Sequence, residues 1–393
     1  MVLKLFRSPT PVLTAPIYAL LAAAFFILCE AMQPVTAAPL KPNTLHPDMD
    51  AAGKAQYLEL VYVDGKTPQV LYRNQENDGE EKVALHLECK RNLPPHKISP
   101  AKGAWIWKSG LLLNKQEAAR QFFRKAATHG INRIYLQINA DLAQDTPILK
   151  MAKEQSIQIY ALTGSPDDID HPQAVFSTID NILNYNSHHD LQFSGIQFDI
   201  EPYILPNFQM QEQQILSRYL ELVQAIGARI AGRMPLSFAV PFWFDQKSVN
   251  GVNIMASVIQ VADDISVMSY RTSLDQILSV ANNALCYGEK FGKPVYLGIE
   301  LTKIPDEVHF ISKTSELLPY LQSTGDGSNL TRETMTKIAM TQLPNIKQTV
   351  IPGSRLSFYP DEKMAFSITE QAVPYLFFAG WMLNGLDGIW LDD

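Results

Sequence analysis

The chain has 393 residues, 46% hydrophobic and 19% charged, enough apolar material for a large core, which excludes a disordered or low-complexity polymer. A net charge of −7, with no long run of either sign, excludes general affinity for nucleic acid, which needs a basic face.

Lys4 and Arg7 precede a charge-free stretch up to Glu30 that contains the apolar run Tyr18 to Leu28. Val35-Thr36-Ala37-Ala38 then offers small residues at the spacing of a cleavage site. The pattern predicts a secretory signal over residues 1–37 and an exported protein, periplasmic or secreted. The alternative is an uncleaved N-terminal anchor, since the apolar run approaches spanning length; it is the one predicted contact with a membrane. Pro16 and the cleavage-like site favour the signal. Export leaves Cys89 and Cys286, two thiols whose pairing spacing alone does not decide.

Residues 38–102 read as a linker and a small β-rich appendage. Tyr57 to Val63 alternates as a strand, Asp64-Gly65 marks a turn, and Gln69 to Tyr72 returns as its partner. Lys82 to Cys89 is a third strand candidate, and Pro94-Pro95 opens the linker out of the appendage.

From Gly103 the pattern alternates. Strands are expected at Ala104 to Trp107, Arg133 to Asn139, Ile157 to Thr163, Gly195 to Glu201, Leu236 to Pro241, Asp264 to Tyr270, Val295 to Leu301 and Gly388 to Asp392. Helices are expected between them: Lys115 to His129, Pro147 to Gln155, Pro172 to Asn186, Gln209 to Ala231, Val252 to Val261, Leu274 to Phe291, a candidate near Arg332 to Met340, and Ile368 to Leu383. Eight strands alternating with helices over residues 103–393 predict an α/β fold of the (β/α)8 TIM-barrel type. An open doubly wound sheet usually places a Gly-rich phosphate turn after its first strand, and Trp107-Lys108-Ser109-Gly110 is no such turn.

The fourth strand organises the rest. Ile196, Phe198 and Ile200 form one face, and Gly195, Gln197, Asp199 and Glu201 the other, ended by Pro202, which cannot donate to a ladder. Side-chain parity gives the other strands' inward sets: Trp105 and Trp107; Tyr135, Gln137 and Asn139; Tyr160; Ser237; Ser266, Met268 and Tyr270; Tyr296, Gly298 and Glu300; Trp390 and Asp392. A purely structural barrel interior is filled with Val, Ile and Leu, whereas this one is aromatic and polar, with carboxylates at the C-terminal strand ends where barrel active sites sit. Burying so many polar groups without use is costly. Aromatics beside carboxylates suit a carbohydrate, whose rings offer apolar C–H faces to Trp and Tyr and hydroxyls to amides and carboxylates. Trp105, Trp107, Trp243 and Trp390 all fall at or just past predicted strand ends, although core packing is the commoner use of any single one. The loop with Asp167, Asp168 and Asp170 overhangs the same mouth; it reads as a solvated loop capping the helix that starts near Pro172, with binding of Ca²⁺ or sugar hydroxyls as the alternative.

Three segments carry a family resemblance over residues 103–393. Gly195-Ile196-Gln197-Phe198-Asp199-Ile200-Glu201 resembles the fourth-strand motif of chitinase-type, family 18 glycoside hydrolases, D-G-x-D-x-D-x-E. Val267-Met268-Ser269-Tyr270 resembles that family's sixth-strand M-x-Y, and Gly388-Ile389-Trp390 its eighth-strand segment ending in Trp. The resemblance implies that Glu201 is the general acid, that Asp199 orients a substrate N-acetyl group whose oxygen is the nucleophile, and that Tyr270 helps hold it. The chain departs from the motif at Ser194 and Gln197, where the family has acids, and at Arg271, where it has Asp. Glu300 ends the seventh strand, where many retaining barrel glycosidases keep a nucleophile, and stands open as nucleophile or substrate ligand.

The resulting expectation is an exported glycoside hydrolase acting on a polysaccharide or glycoconjugate. Glu201, Asp199 and Tyr270 would be catalytic. Glu300, Gln197, Trp105, Trp107, Gln137, Asn139, Trp243, Arg271, Trp390 and Asp392 would contact substrate. The alternative is a barrel that binds glycans without turnover, or an accessory protein of polysaccharide processing. No cofactor is expected, and no metal: His188-His189-Asp190 is the one His cluster, and adjacent residues point apart.

Overall fold

The computed structural model describes residues 57–63, 69–73, 87–89, 101–205, 208, 211–323, 331–343 and 345–391. The predicted signal or anchor, the turn at Asp64-Gly65, most of the third appendage strand and Asp392 lie outside them. In chain order the strands are β1 (Tyr57–Tyr62), β2 (Gln69–Arg73), β3 (Ala101–Ile106), β4 (Ile131–Gln137), β5 (Gln158–Thr163), β6 (Gly195–Phe198), β7 (Leu236–Pro241), β8 (Ser248–Val249), β9 (Val252–Asn253), β10 (Asp264–Met268), β11 (Val295–Glu300), β12 (Glu307–Lys313), β13 (Lys347–Ile351) and β14 (Phe378–Asn384). Strands β3, β4, β5, β6, β7, β10, β11 and β14 close into a parallel barrel, with β10 pairing back onto β7. The helices α1 (Ser109–Asn114), α2 (Gln116–Thr128), α3 (Thr146–Glu154), α4 (Pro172–His188), α5 (Glu212–Ile230), α6 (Ile254–Val261) and α7 (Leu274–Phe291) lie between barrel strands in the chain. The fold is a (β/α)8 barrel.

Local chemistry explains why the helices sit where the pattern put them. The Ser273 hydroxyl accepts from Gln276 N at the start of α7, and Gly292, at φ +69°, ends it in the left-handed conformation glycine tolerates. Ile277, Ala281 and Leu285 repeat at helical spacing and are buried.

The eighth strand differs from the expectation. The segment read as one helix, Ile368 to Leu383, contains the end of α10 (Glu362–Thr369) and most of β14, while Gly388 to Leu391 belong to α11 (Leu386–Leu391). A central strand of a parallel barrel is buried on both faces, so Phe378 to Leu383 is an unbroken apolar run with no period of two to separate it from a helix.

After β11 the sequence predicts only one helix, near Arg332 to Met340, before the last helix and strand. That segment contains β12 and β13, which with β1 and β2 form an antiparallel sheet of order β13-β12-β1-β2. Helices α8 (Thr314–Ser323) and α9 (Arg332–Thr341) supply Leu317, Leu321, Met335 and Ile338 to a core with Leu58, Leu60, Tyr62, Val308 and Phe310. The N-terminal strands are thus half of a sheet whose other half is inserted between the last two barrel strands. A second link ties the N-terminal segment to the barrel. Cys89 is disulfide-bonded to Cys286 on α7, Leu87 N donates to Asn283 Oδ1 at 2.8 Å, and Asn282 Nδ2 donates to Leu87 O at 3.0 Å. The bridge closes a loop of sequence separation 197. Cys286→Ser is expected to lower the unfolding free energy by roughly 2–5 kcal/mol, measured as a shift of the guanidinium midpoint at constant slope.

Inside the barrel, polar and aromatic side chains stack in layers. At the N-terminal end Arg133 Nη1 bonds Asp264 Oδ2 at 2.8 Å, with the guanidinium lying 4.4 Å and 4.7 Å from the rings of Tyr160 and Tyr296. Above it Gln197 accepts from Trp105 Nε1 at 2.6 Å and donates to the hydroxyls of Ser237 at 2.9 Å and Ser266 at 3.1 Å. A Cβ on Gly298 would press on Val267 O and on the rings of Trp105 and Tyr270, so glycine makes room there for two aromatics. Among the described residues, no helix is long and apolar enough to cross a membrane.

Candidate active site

The site is built at the C-terminal ends of the strands. β6 stops at Phe198, and the chain rises out of the sheet through Asp199 and Glu201 into the turn Pro202–Ile204. Asp199 N still donates to Thr163 O at 2.9 Å. Gly164, at φ +143°, passes so close that a Cβ there would strike the Asp199 backbone. That approach holds the two carboxylates at the mouth.

Glu201 is buried, and its Oε1 accepts the Tyr203 hydroxyl. Tyr203 is wedged edge-on between Trp243 and Phe244, with ring centroids 5.0 and 6.0 Å away. Burial first, and then the neighbouring Asp199 charge, push the Glu201 carboxyl well above the ordinary Glu range, against a smaller opposing effect of the Tyr203 hydroxyl. Burial pushes Asp199 up to about 7, and its enclosed Oδ1 has no hydrogen-bond partner. The Tyr270 hydroxyl is raised by burial and then by Glu300, Asp199 and Glu201, which places all four groups in one electrostatic neighbourhood. Two carboxylates with elevated proton affinity at a barrel mouth can hold and deliver a proton at neutral pH.

Glu300 behaves differently. Its Oε1 accepts from Leu301 N at 2.9 Å, Thr302 N at 2.6 Å and the Thr302 hydroxyl at 2.6 Å, and its Oε2 from Asn384 Nδ2 at 2.7 Å. Burial raises its pKa and these donors oppose the rise. Asn384 Oδ1 in turn accepts from Trp107 Nε1 at 3.0 Å. The backbone N–H groups of Trp107 and Lys108 both donate to Asp387 Oδ2 at 3.0 Å.

Several expected substrate contacts take other positions. Trp105, Trp243 and Gln197 are buried, at 2%, 1% and 0% exposure, and form the packed layer under the mouth and its wall, with no face for a ligand. Trp390 is not on a barrel strand. It lies on α11 outside the barrel, stacked on Phe366 and tilted against His129, with Nε1 donating to Glu362 Oε2 at 2.9 Å. Asn139 is tied to Asp145, its Nδ2 donating at 2.6 Å, which braces the loop after β4. Arg271 is buried, donates to the Tyr270 carbonyl at 2.7 Å and lies over the Phe242 ring. Gln137 is half-buried at the end of β4. The acidic loop after β5 caps its own turn, with Asp168 Oδ2 accepting from Ser165 N at 2.9 Å. Tyr203 and Asn384 were not singled out in the sequence. Tyr203 continues the i, i+2 parity of Asp199 and Glu201, whereas Asn384 ends a strand that the pattern reads as a helix over Ile368 to Leu383 and so falls one residue past that helix.

No protein-family model matches the chain, and no curated protein matches it. Among solved structures, the spore cortex-lytic enzyme SleL of Bacillus cereus aligns at TM-score 0.36 and 14% identity, over 60% of this chain and 54% of that one. A class V chitinase from Pseudomonas fluorescens aligns at 0.34 and 13%, over 51% and 68%. The GH39 enzyme of Xanthomonas axonopodis pv. citri aligns at 0.37 and 12%, over 55% and 54%. The chain spans about half the length of the first and third of these. Likenesses this distant carry no argument, and the barrel rests on the strand order given above.

Proposed function

We propose that the chain is an exported glycoside hydrolase that cleaves a polysaccharide or glycoconjugate, with Glu201 as the proton donor. One observation carries the reading: a buried carboxyl with raised proton affinity beside a second carboxylate at the C-terminal mouth of a barrel. Glu201 gives its proton to the glycosidic oxygen as the bond from that oxygen to the anomeric carbon breaks, and the leaving sugar departs as an alcohol. The resemblance to chitinase-type enzymes assigns the nucleophile to a substrate N-acetyl oxygen. The half-buried Asp199 carboxylate beside Glu201 is an acceptor suited to the N–H of such a group. Water then opens the cyclised intermediate and returns a proton to Glu201. Glu300, engaged by four donors, is better suited to anchoring the mouth than to attacking carbon. The Cys89–Cys286 bridge supports export, because disulfides persist in oxidising compartments.

A barrel that binds glycans without turnover is the second reading. It is favoured by Gln197, a neutral amide spent on Trp105, Ser237 and Ser266 where the resemblance places an acid. The two readings separate in a reducing-end assay on soluble β-1,4-linked N-acetylglucosamine and glucose polymers. Hydrolysis of the N-acetylated polymer, with kcat/KM falling as pH rises through the elevated Glu201 titration, supports the enzyme. Saturable binding with no new reducing ends overturns it.

A further inference from the structure

Trp107 is one of five tryptophans, and it is held in a way the others are not. It follows β3 by one residue with the parity of the inward-facing Trp105, packs on the barrel-interior cluster, and is half-buried. Its backbone N–H is fixed by the buried carboxylate of Asp387, and its indole N–H by Asn384. Asn384 is itself 5% exposed and spends its amide N–H on Glu300, at 2% exposure, which is locked by Thr302 and by Leu301 N. The Trp107–Asn384–Glu300–Thr302 chain is continuous, buried at Asn384 and Glu300 and partly open at Trp107 and Thr302, and Tyr270 senses its carboxylate electrostatically. A large aromatic face is thereby held at a set angle at the end of the barrel that carries Asp199 and Glu201.

We propose that Trp107 is a pre-organised stacking platform for the apolar face of a pyranose ring, and that Asn384, itself held by Glu300, is a positioning residue that fixes the indole. The proposal rests on the reading of the mouth as a glycan site. Rigid aromatic faces bind with little loss of side-chain freedom, so a tether that orders the indole beforehand tightens binding without adding a contact to the ligand. The tether also gives Glu300 a use other than chemistry at carbon.

The test uses the full chain with two probes, the β-1,4-linked hexamers of N-acetylglucosamine and of glucose, and reads tryptophan emission. In the free protein, acrylamide quenching attributable to Trp107, taken as the difference from Trp107→Phe, should rise in Asn384→Leu because the ring is released. Titration with the hexamers should give saturable quenching for the native chain, on the order of a hundredfold weaker binding for Trp107→Ala, and roughly tenfold weaker binding for Asn384→Leu, the cost of ordering one side chain. Trp107→Phe keeps an aromatic face but lacks the indole N–H. It should match Asn384→Leu, and it tests the tether should Asn384→Leu fail to fold. Native affinity in Trp107→Ala, or unchanged affinity in both tether variants, overturns the proposal, as does the absence of binding of either hexamer to the native chain. Binding that depends on Trp107 with no hydrolysis of either probe leaves the platform standing and removes the hydrolase reading.

Discussion

Glu201→Gln is expected to lower kcat on a glycan substrate by ~10²- to 10⁴-fold, the range for loss of a positioned general acid, with KM little changed. The amide keeps the shape of the side chain and can still meet the Tyr203 hydroxyl, but it has no proton to give the leaving oxygen. The same change is expected to stabilise the protein at high pH. Both Asp199 and Glu201 have folded-state pKa values above their unfolded ones. Their favourable contribution is complete below the unfolded carboxylate range near pH 4 and is lost as pH rises through the folded values, about 7 for Asp199. The native protein should therefore lose stability between about pH 4 and pH 8 by this mechanism, and Glu201→Gln should flatten that loss. Thermal unfolding of the two proteins across the range measures it. A lower melting temperature for Glu201→Gln at pH 8 would show that the carboxylate is stabilised rather than strained in its site. Opposite signs for activity and stability mark a group held against its preference for the sake of chemistry.

Arg133→Met carries the largest expected cost to folding, about 3–5 kcal/mol. Arg133 lies inside the N-terminal end of the barrel, bonded to Asp264 and to the Tyr135 hydroxyl, and covered by the rings of Tyr160 and Tyr296. Methionine removes the cation and leaves the Asp264 carboxylate inside the barrel without its partner. The double change Arg133→Met with Asp264→Leu should recover most of the loss, because a well-packed apolar pair of similar volume avoids desolvating two charges. Urea unfolding of the single and double variants gives the coupling between the two sites. A double variant as unstable as the single one would place the cost in lost ring contacts instead of in the stranded charge.

Much of the barrel was legible because its inner and outer residues differ in kind. The i, i+2 placement of Gln197, Asp199 and Glu201 opposite Ile196, Phe198 and Ile200 gave both a strand and its polar side. The helix expected over Leu274 to Phe291 is α7, which Ser273 and Gly292 cap. Where that contrast vanished, the reading failed. Phe378 to Leu383 is apolar on both faces, so helix and strand look alike, and taking it for a helix pushed the eighth strand onto α11 and Trp390 into a mouth it does not reach. The sheet shared by β1, β2, β12 and β13 was out of reach for another reason, since its halves lie some two hundred and fifty residues apart and two strands alone are marginal.

The chain's own residues, read in order, determined the alternation that makes the barrel and the strand end at which Asp199 and Glu201 emerge, because periodicity and turn chemistry act over a few residues. Only the tertiary structure decided which groups are buried together. It showed Glu300 saturated by Leu301, Thr302 and Asn384, Glu201 receiving the hydroxyl of Tyr203, and Trp105 and Trp243 enclosed where surface aromatics were expected. Proton affinity and ligand access depend on dielectric surroundings and on partners from distant strands, and these exist only after the ring has closed.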